Sequence, residues 1–284
     1  MAQGGRPAGA CTIRRLRLAP VIVGVITGSG THALPGVEFA RQREVDTPFG
    51  PVALSEGRVA GVDVLHLSRH GEGHRRLSNH LDHRAHVAAL KEGGAEAVLA
   101  VTVCGAVDPS LELGTLIVFD DLHFLANRLP DGSLCTMHEK AGAPGRGHWV
   151  FELPFSERLR RALLAGAERT GRPVRDGGCY GHVDGPRFNT RAEIRMLGAC
   201  GVTAVSQTAG PETVLCGEVG LPYALLGYAT DYANGVRPEP TPVSELMRLI
   251  SASTQSFADV LAPALALVTD GHARPTGTVL SFDD

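Results

Sequence analysis

Several short groups of residues carry side chains able to do chemistry. In Ser68-Arg69-His70-Gly71, Arg69 offers a planar cation that can grip phosphate or carboxylate with two parallel bonds, and His70 adds an imidazole beside it. A surface arginine in a loop is an equally good reading of those residues alone. Thr27-Gly28-Ser29-Gly30-Thr31 combines glycines, which let the backbone approach an anion, with the hydroxyls of Ser29 and Thr31. It matches neither the GxGxxG nor the Walker pattern, and a plain turn also explains it. Asp231 could hold a proton for a leaving group if its surroundings raised its pKa; a helix or turn cap is the alternative. Thr102-Val103-Cys104-Gly105 supplies a hydroxyl and a thiol, but without an adjacent base Cys104 reads as a buried, inert thiol. Phe188, after Gly185-Pro186-Arg187, could stack on a planar base, although core packing is the simpler reading of a phenylalanine.

Histidines crowd one stretch: His66, His70, His74, His80, His83 and His86 are half of the chain's 12. The His70/His74 and His80/His83 spacings suit a shared helical face and so raise the question of a metal. No HExxH motif accompanies them, and the carboxylates of the stretch are only Asp63, Glu72 and Asp82. Solvated or hydrogen-bonding histidines are the expectation, with no metal.

Positioning these groups falls to a series of apolar strands. Residues 20–26, 62–67 and 97–103 are nearly continuous apolar runs, as strands buried on both faces require. Residues 116–119 and 223–228 read as further strands. Helical patterns cover residues 83–92, 155–170, 190–200 and about 241–268. This alternation predicts an α/β fold with a single-domain mixed central β-sheet flanked by helices. Three polar groups then sit at strand ends, which in open α/β sheets gather in one crevice, and Asp231 follows the last strand. Residues 132–147 read as a long loop.

Composition narrows the classes further. The 284 residues are 43 % hydrophobic and carry a net charge of -3, which argues against nucleic-acid binding through overall charge. No apolar run approaches the ~18 residues of a membrane span. Residues 1–18 are Arg-rich without an apolar h-region and read as a disordered tail, followed by one domain over 19–272 and a loose tail over 273–284. Six scattered cysteines without a CxxC pair suit a reducing cytoplasm.

From about Val21 to Val236 the order and spacing of these groups resemble the trimeric purine nucleoside phosphorylase family, particularly its 5′-methylthioadenosine phosphorylase branch. The resemblance rests on Gly28-Ser29-Gly30, Asp46-Thr47-Pro48-Phe49-Gly50, Ser68-Arg69-His70-Gly71, Ala89-Leu90-Lys91 and Thr102-Val103-Cys104-Gly105. It extends to Gly185-Pro186-Arg187-Phe188 with Arg191-Ala192-Glu193, Thr208 before Pro211-Glu212, and Ala229-Thr230-Asp231-Tyr232. It implies a nucleoside phosphorylase-like fold and a pentosyltransferase of purine salvage, in which inorganic phosphate displaces a purine from C1′ to give a pentose 1-phosphate. By the same resemblance Ser29, Arg69, His70, Thr102 and Thr208, with backbone donors from Val103, hold phosphate. Phe188 stacks on the base, and Asp231 bonds to or protonates N7. The partners implied are a purine nucleoside and phosphate, without nucleic acid, membrane, metal or organic cofactor, in a homotrimer or a dimer of trimers.

Departures from the family pattern bear on the substrate. The second carboxylate that reads the 6-amino group in the methylthioadenosine branch is replaced by Ala233, with Asn234 next; an amide offers both donor and acceptor, which leaves a 6-oxopurine open. The methionine that contacts ribose is Gln207. Asp82-His83-Arg84-Ala85-His86 and Phe124-Leu125-Ala126 also depart from the pattern. His148 resembles a histidine that a neighbouring subunit places at the 5′ group, with Val243 as the apolar residue there. These features favour a 5′-deoxy-5′-substituted nucleoside. A 6-oxopurine phosphorylase acting on inosine, guanosine or methylthioinosine, and a nucleoside-binding relative that has lost catalysis, remain as alternatives.

Overall fold

The computed structural model describes residues 21–29 and 39–282. Within them the chain forms β1 (Ile22–Thr27), β2 (Phe39–Val45), β3 (Val52–Val59), β4 (Val62–Ser68), α1 (His83–Glu92), β5 (Ala97–Ala106), β6 (Leu116–Val118), β7 (Asp121–His123) and β8 (Gly147–Val150). There follow α2 (Glu157–Thr170), β9 (Val174–Asp176), β10 (Cys179–His182), α3 (Arg191–Ala199), β11 (Val202–Ser206), α4 (Ala209–Glu218), β12 (Tyr223–Tyr232), α5 (Val243–Leu265) and β13 (Thr278–Ser281). The expected tail over 1–18, and Gly30 and Thr31 of the glycine-rich turn, lie outside the described residues.

The apolar runs form the parallel centre of a mixed sheet. β4, β1, β5 and β12 lie side by side and parallel, so their carboxyl ends open on one edge. The sheet forks at β5, which pairs with β1 and β12 and, antiparallel, with β11 near its end. Residues along β5 alternate between two cores. Val98, Ala100 and Cys104 face one layer, with Leu90 of α1 and Leu215 of α4; Leu99 and Val101 face the other, with Leu163 of α2 and Phe257 of α5. Both faces are therefore covered, as a parallel sheet needs. The mixed α/β architecture with flanking helices is the one expected.

Helix limits follow local chemistry. Asp82 caps α1 by accepting from Ala85 N, Ser156 caps α2, and Thr190 with Glu193 closes a capping box on α3. Gly171, at φ 64°, ends α2 in the left-handed conformation that disfavours other residues. Within the stretch 273–284 expected to be a loose tail, β13 pairs antiparallel with β8, and Trp149 of β8 donates to Thr276 O at 2.6 Å. The Trp149 ring also presses on α4, where a Cβ at Gly217 would lie 2.3 Å from it. Among the described residues no helix is long and apolar enough to cross a membrane.

Candidate active site

The carboxyl ends of β1, β4, β5 and β12 frame a cavity of about 250 Å³. Ser29, Arg69, His70, Thr102, Val103, Thr208, Phe188, Gln207, Asp231 and Asn234 all line it. Residues from six separate stretches of sequence thus meet in one place, as the topology of parallel strand ends dictates.

One side of the cavity gathers the side chains expected to meet an anion. Arg69, 1 % exposed, donates from Nε and Nη2 to the two carboxylate oxygens of Glu212 at 2.6 and 2.8 Å, and from Nη1 to Val101 O at 2.9 Å. An arginine has five N–H groups, so two remain for a ligand. A Cβ at Gly28 would lie 2.4 Å from Arg69 Nη1 and 3.8 Å from His70 Nε2; the turn after β1 can pass these nitrogens only as glycine. His70 Nδ1 lies 2.8 Å from Arg76 O. A carbonyl only accepts, so Nδ1 carries the proton of the neutral ring and Nε2 presents a lone pair. Burial, aided by the charge of Arg69, pushes the His70 pKa down to about 3, which keeps the ring neutral.

Thr208 precedes α4, whose amino end carries the positive end of the helix dipole. Its Oγ1 is buried and has no hydrogen-bond partner among the described residues, so its bonding capacity is unused by the protein. Thr102 Oγ1 has Val103 O and Ser206 Oγ within reach at 3.1 and 3.2 Å. Glu212 cancels the charge of Arg69 and His70 is neutral. An anion here would be held by aimed donors more than by net charge.

The side formed by β12 carries the carboxyl group. The register of β12 against β5 slips between Ala229 and Asp231, a bulge that re-aims the side chain. Gly105 makes room, since a Cβ there would stand 3.2 Å from Asp231 Oδ2. Burial raises the Asp231 pKa, opposed by a 2.9 Å bond from Thr230 Oγ1 to Oδ1. A carboxyl so placed can hold a proton for a nitrogen leaving group. Phe188, 59 % exposed, stands at the wall with its ring uncommitted to the core. Asn234 Nδ2 donates to Asn189 O at 2.7 Å, and Ala233 is buried.

Two expected residues do not line the cavity. Val243 is 74 % exposed at the first position of α5; Leu246 and Ile250, further along the helix, supply the apolar wall instead. His148 lies on β8, exposed, with its ring edge-on to Phe282. Cys104 is buried and donates to Tyr228 O, and burial pushes its thiol pKa up, so it is no nucleophile.

Glu212, named in the resemblance but given no role there, is the main residue whose partner local sequence did not mark, because Arg69 lies far from it along the chain. Ser78 also lines the cavity unheralded. The altered Asp82–His86 stretch lies beside the Arg69–Glu212 pair. His83 Nδ1 is 3.9 Å from Glu212 Oε1, and neither of its ring nitrogens has a hydrogen-bond partner among the described residues. Phe124 packs edge-on to His182 at 4.5 Å. The rings of His70 and His74 stack at 4.1 Å instead of converging on a point. Among the described residues no three His, Cys, Asp or Glu side chains are grouped to hold a metal ion.

Comparison with known proteins bears on the family of the whole chain. A family model described as the phosphorylase superfamily matches residues 22–266. The 6-oxopurine nucleoside phosphorylase of Pyrococcus furiosus is 30 % identical over 87 % of this chain and 92 % of its own length. A probable S-methyl-5′-thioinosine phosphorylase of Xanthomonas campestris pv. campestris is 32 % identical over 85 % and 96 %, respectively. The structure of methylthioadenosine phosphorylase from Schistosoma mansoni in complex with adenine superimposes with a TM-score of 0.80 at 29 % identity, covering 87 % of this chain and 91 % of that one.

Proposed function

The chain belongs to the phosphorylase superfamily, and from that premise we propose that it is a pentosyltransferase cleaving the N-glycosidic bond of a purine nucleoside with inorganic phosphate. The observation that carries this reading is that Arg69, just after β4, and Asp231, on β12, line one cavity. Phosphate held by Ser29, Arg69, Thr102, the Val103 backbone and Thr208, with His70 Nε2 accepting from a protonated phosphate oxygen, forms a bond to C1′ through another of its oxygens. The C1′–N9 bond breaks and its electron pair passes to the purine. Asp231 donates a hydrogen bond or its proton to N7, and Phe188 stacks on the base. Free purine and a pentose 1-phosphate result. The apolar wall of Leu246 and Ile250 suits a 5′-deoxy-5′-substituted nucleoside such as 5′-methylthioadenosine.

A 6-oxopurine is the second reading, favoured by Ala233 and Asn234. With one Nδ2 proton given to Asn189 O, the Asn234 amide keeps an acceptor and a second donor. The pair matches N1–H and O6 of a 6-oxopurine, whereas a carboxylate could not donate to O6. His148, exposed on its own chain, would serve a neighbour's 5′ group in a homotrimer, which the solution mass would reveal.

Phosphate-dependent release of purine from methylthioadenosine, methylthioinosine and inosine tests the activity. The expected result is turnover with a preference for the 5′-thio substrates. Nucleoside binding without turnover of any would leave only a catalytically inactive relative.

A further inference from the structure

We propose that Ser78 and Gln207 together read a sugar hydroxyl and make the site selective for ribonucleosides over deoxynucleosides; this rests on the phosphorolysis reading above. Gln207 immediately precedes Thr208 of the anion pocket, and its Nε2 donates to the carbonyl of Arg187, the neighbour of Phe188, at 3.0 Å. It is thus tied on one side to the phosphate donors and on the other to the base-stacking ring. The part of a nucleoside that spans that interval is the pentose.

The pair is set up as a matched donor and acceptor. Ser78, buried in a short 3-10 turn, donates from Oγ to Gln207 Oε1 at 2.8 Å. With its carbonyl engaged by the serine and one amide proton by Arg187, Gln207 retains one N–H. Ser78, having given its proton away, retains lone pairs. A single hydroxyl can accept from the first and donate to the second; a methylene can do neither. Both side chains are held in place. A Cβ at Gly185 would stand 2.0 Å from Gln207 Oε1 and 2.2 Å from Ser78 Oγ, so the Gly185 backbone presses directly on the pair. The two residues also form the wall between this cavity and a neighbouring one of about 260 Å³, which keeps them at a boundary and out of the packed core.

A site organised to hydrogen-bond a hydroxyl rejects the analogue lacking it, because its polar groups are left unpaired. The experiment measures kcat/KM at saturating phosphate for the cleaved ribonucleoside and its 2′-deoxy and 3′-deoxy analogues. It uses the wild type, Gln207→Met, Ser78→Ala and Gly185→Ala. The ribonucleoside is expected to be favoured over at least one analogue by ~30-fold or more in the wild type, and that ratio should fall to ~5 or less in the variants. A wild-type ratio near one, or one unchanged in both Gln207→Met and Ser78→Ala, overturns the inference while leaving phosphorolysis intact. Absence of phosphate-dependent cleavage of the ribonucleoside overturns the underlying reading instead. Should one variant fail to fold, the wild-type ratio and the other variant decide the matter.

Discussion

Glu212 holds Arg69 by a two-pronged bond, Nε to Oε1 at 2.6 Å and Nη2 to Oε2 at 2.8 Å, with both side chains shut away from solvent. The Tyr223 hydroxyl donates to the same Oε2 at 2.9 Å. The guanidinium proposed to meet phosphate therefore has its plane and position fixed before any ligand enters. Removing the carboxylate leaves a buried cation without its partner, which costs about 3–5 kcal/mol. Glu212→Gln is expected to lose stability of that order and to raise the phosphate KM by ~10-fold or more. Arg69→Lys should not restore the wild-type KM, because an ammonium cannot satisfy the fork. Denaturant titration and kinetics with phosphate varied check both, and an unchanged phosphate KM in Glu212→Gln would show that the pair is merely structural.

The raised pKa of Asp231 sets the direction of a pH effect. The carboxyl donates only while protonated, so kcat should fall as pH climbs through its elevated pKa. Asp231→Asn should lower kcat by roughly 10²–10⁴-fold and abolish that alkaline fall. A pH–rate profile that keeps the same alkaline limb in the Asn variant would assign the proton elsewhere.

Two glycines separate the two halves of the chemistry. Gly28→Ala drives a methyl into Arg69 Nη1, whereas Gly105→Ala crowds Asp231 Oδ2. The first should raise the phosphate KM, and the second should lower kcat with that KM little changed, each by about tenfold or more. Equal effects of both substitutions on both parameters would contradict the division.

Buried histidines make the protein acid-labile. Burial brings His66 to about 4, and His86 and His182 to about 3, while His70 stands at about 3 through burial and Arg69. Below their ordinary value near 6.5 the unfolded chain takes up protons that the folded chain refuses. Stability is therefore complete above that pH and declines as pH falls toward these values. Each such histidine adds at most ~1.4 kcal/mol of loss per pH unit. Urea midpoints at pH 7.5, 6.5, 5.5 and 4.5 should fall steeply over the last two steps; a flat series would mean that the histidines are hydrated.

The parallel centre was readable because β1, β4, β5 and β12 are apolar runs without alternation, and Arg69 and Asp231 stand where such runs stop. α1 was readable end to end. β2 and β3 were not, since their charged, partly exposed residues blur the apolar pattern of an outer strand. α4 was hidden by Gly210-Pro211, a pair that suggests a turn although a proline fits the first turn of a helix. Glu212 lies 143 residues from Arg69, and β13 pairs with a strand far back in the chain, so no local window could join either pair. That Leu246 and Ile250 of α5 line the cavity was not legible, because residue type alone does not set the rotational phase of a helix.

β5 has one more consequence. Thr102, on the anion side, and Gly105, against Asp231, sit on this one strand, which is bonded along its flanks to β1, β12 and β11. Three residues of extended chain span about 10 Å, and a rod so braced cannot stretch. In the proposed reaction the interval between nucleophile and leaving group would thus be gauged by the backbone itself, and a substrate would be admitted by its length before its decorations are felt.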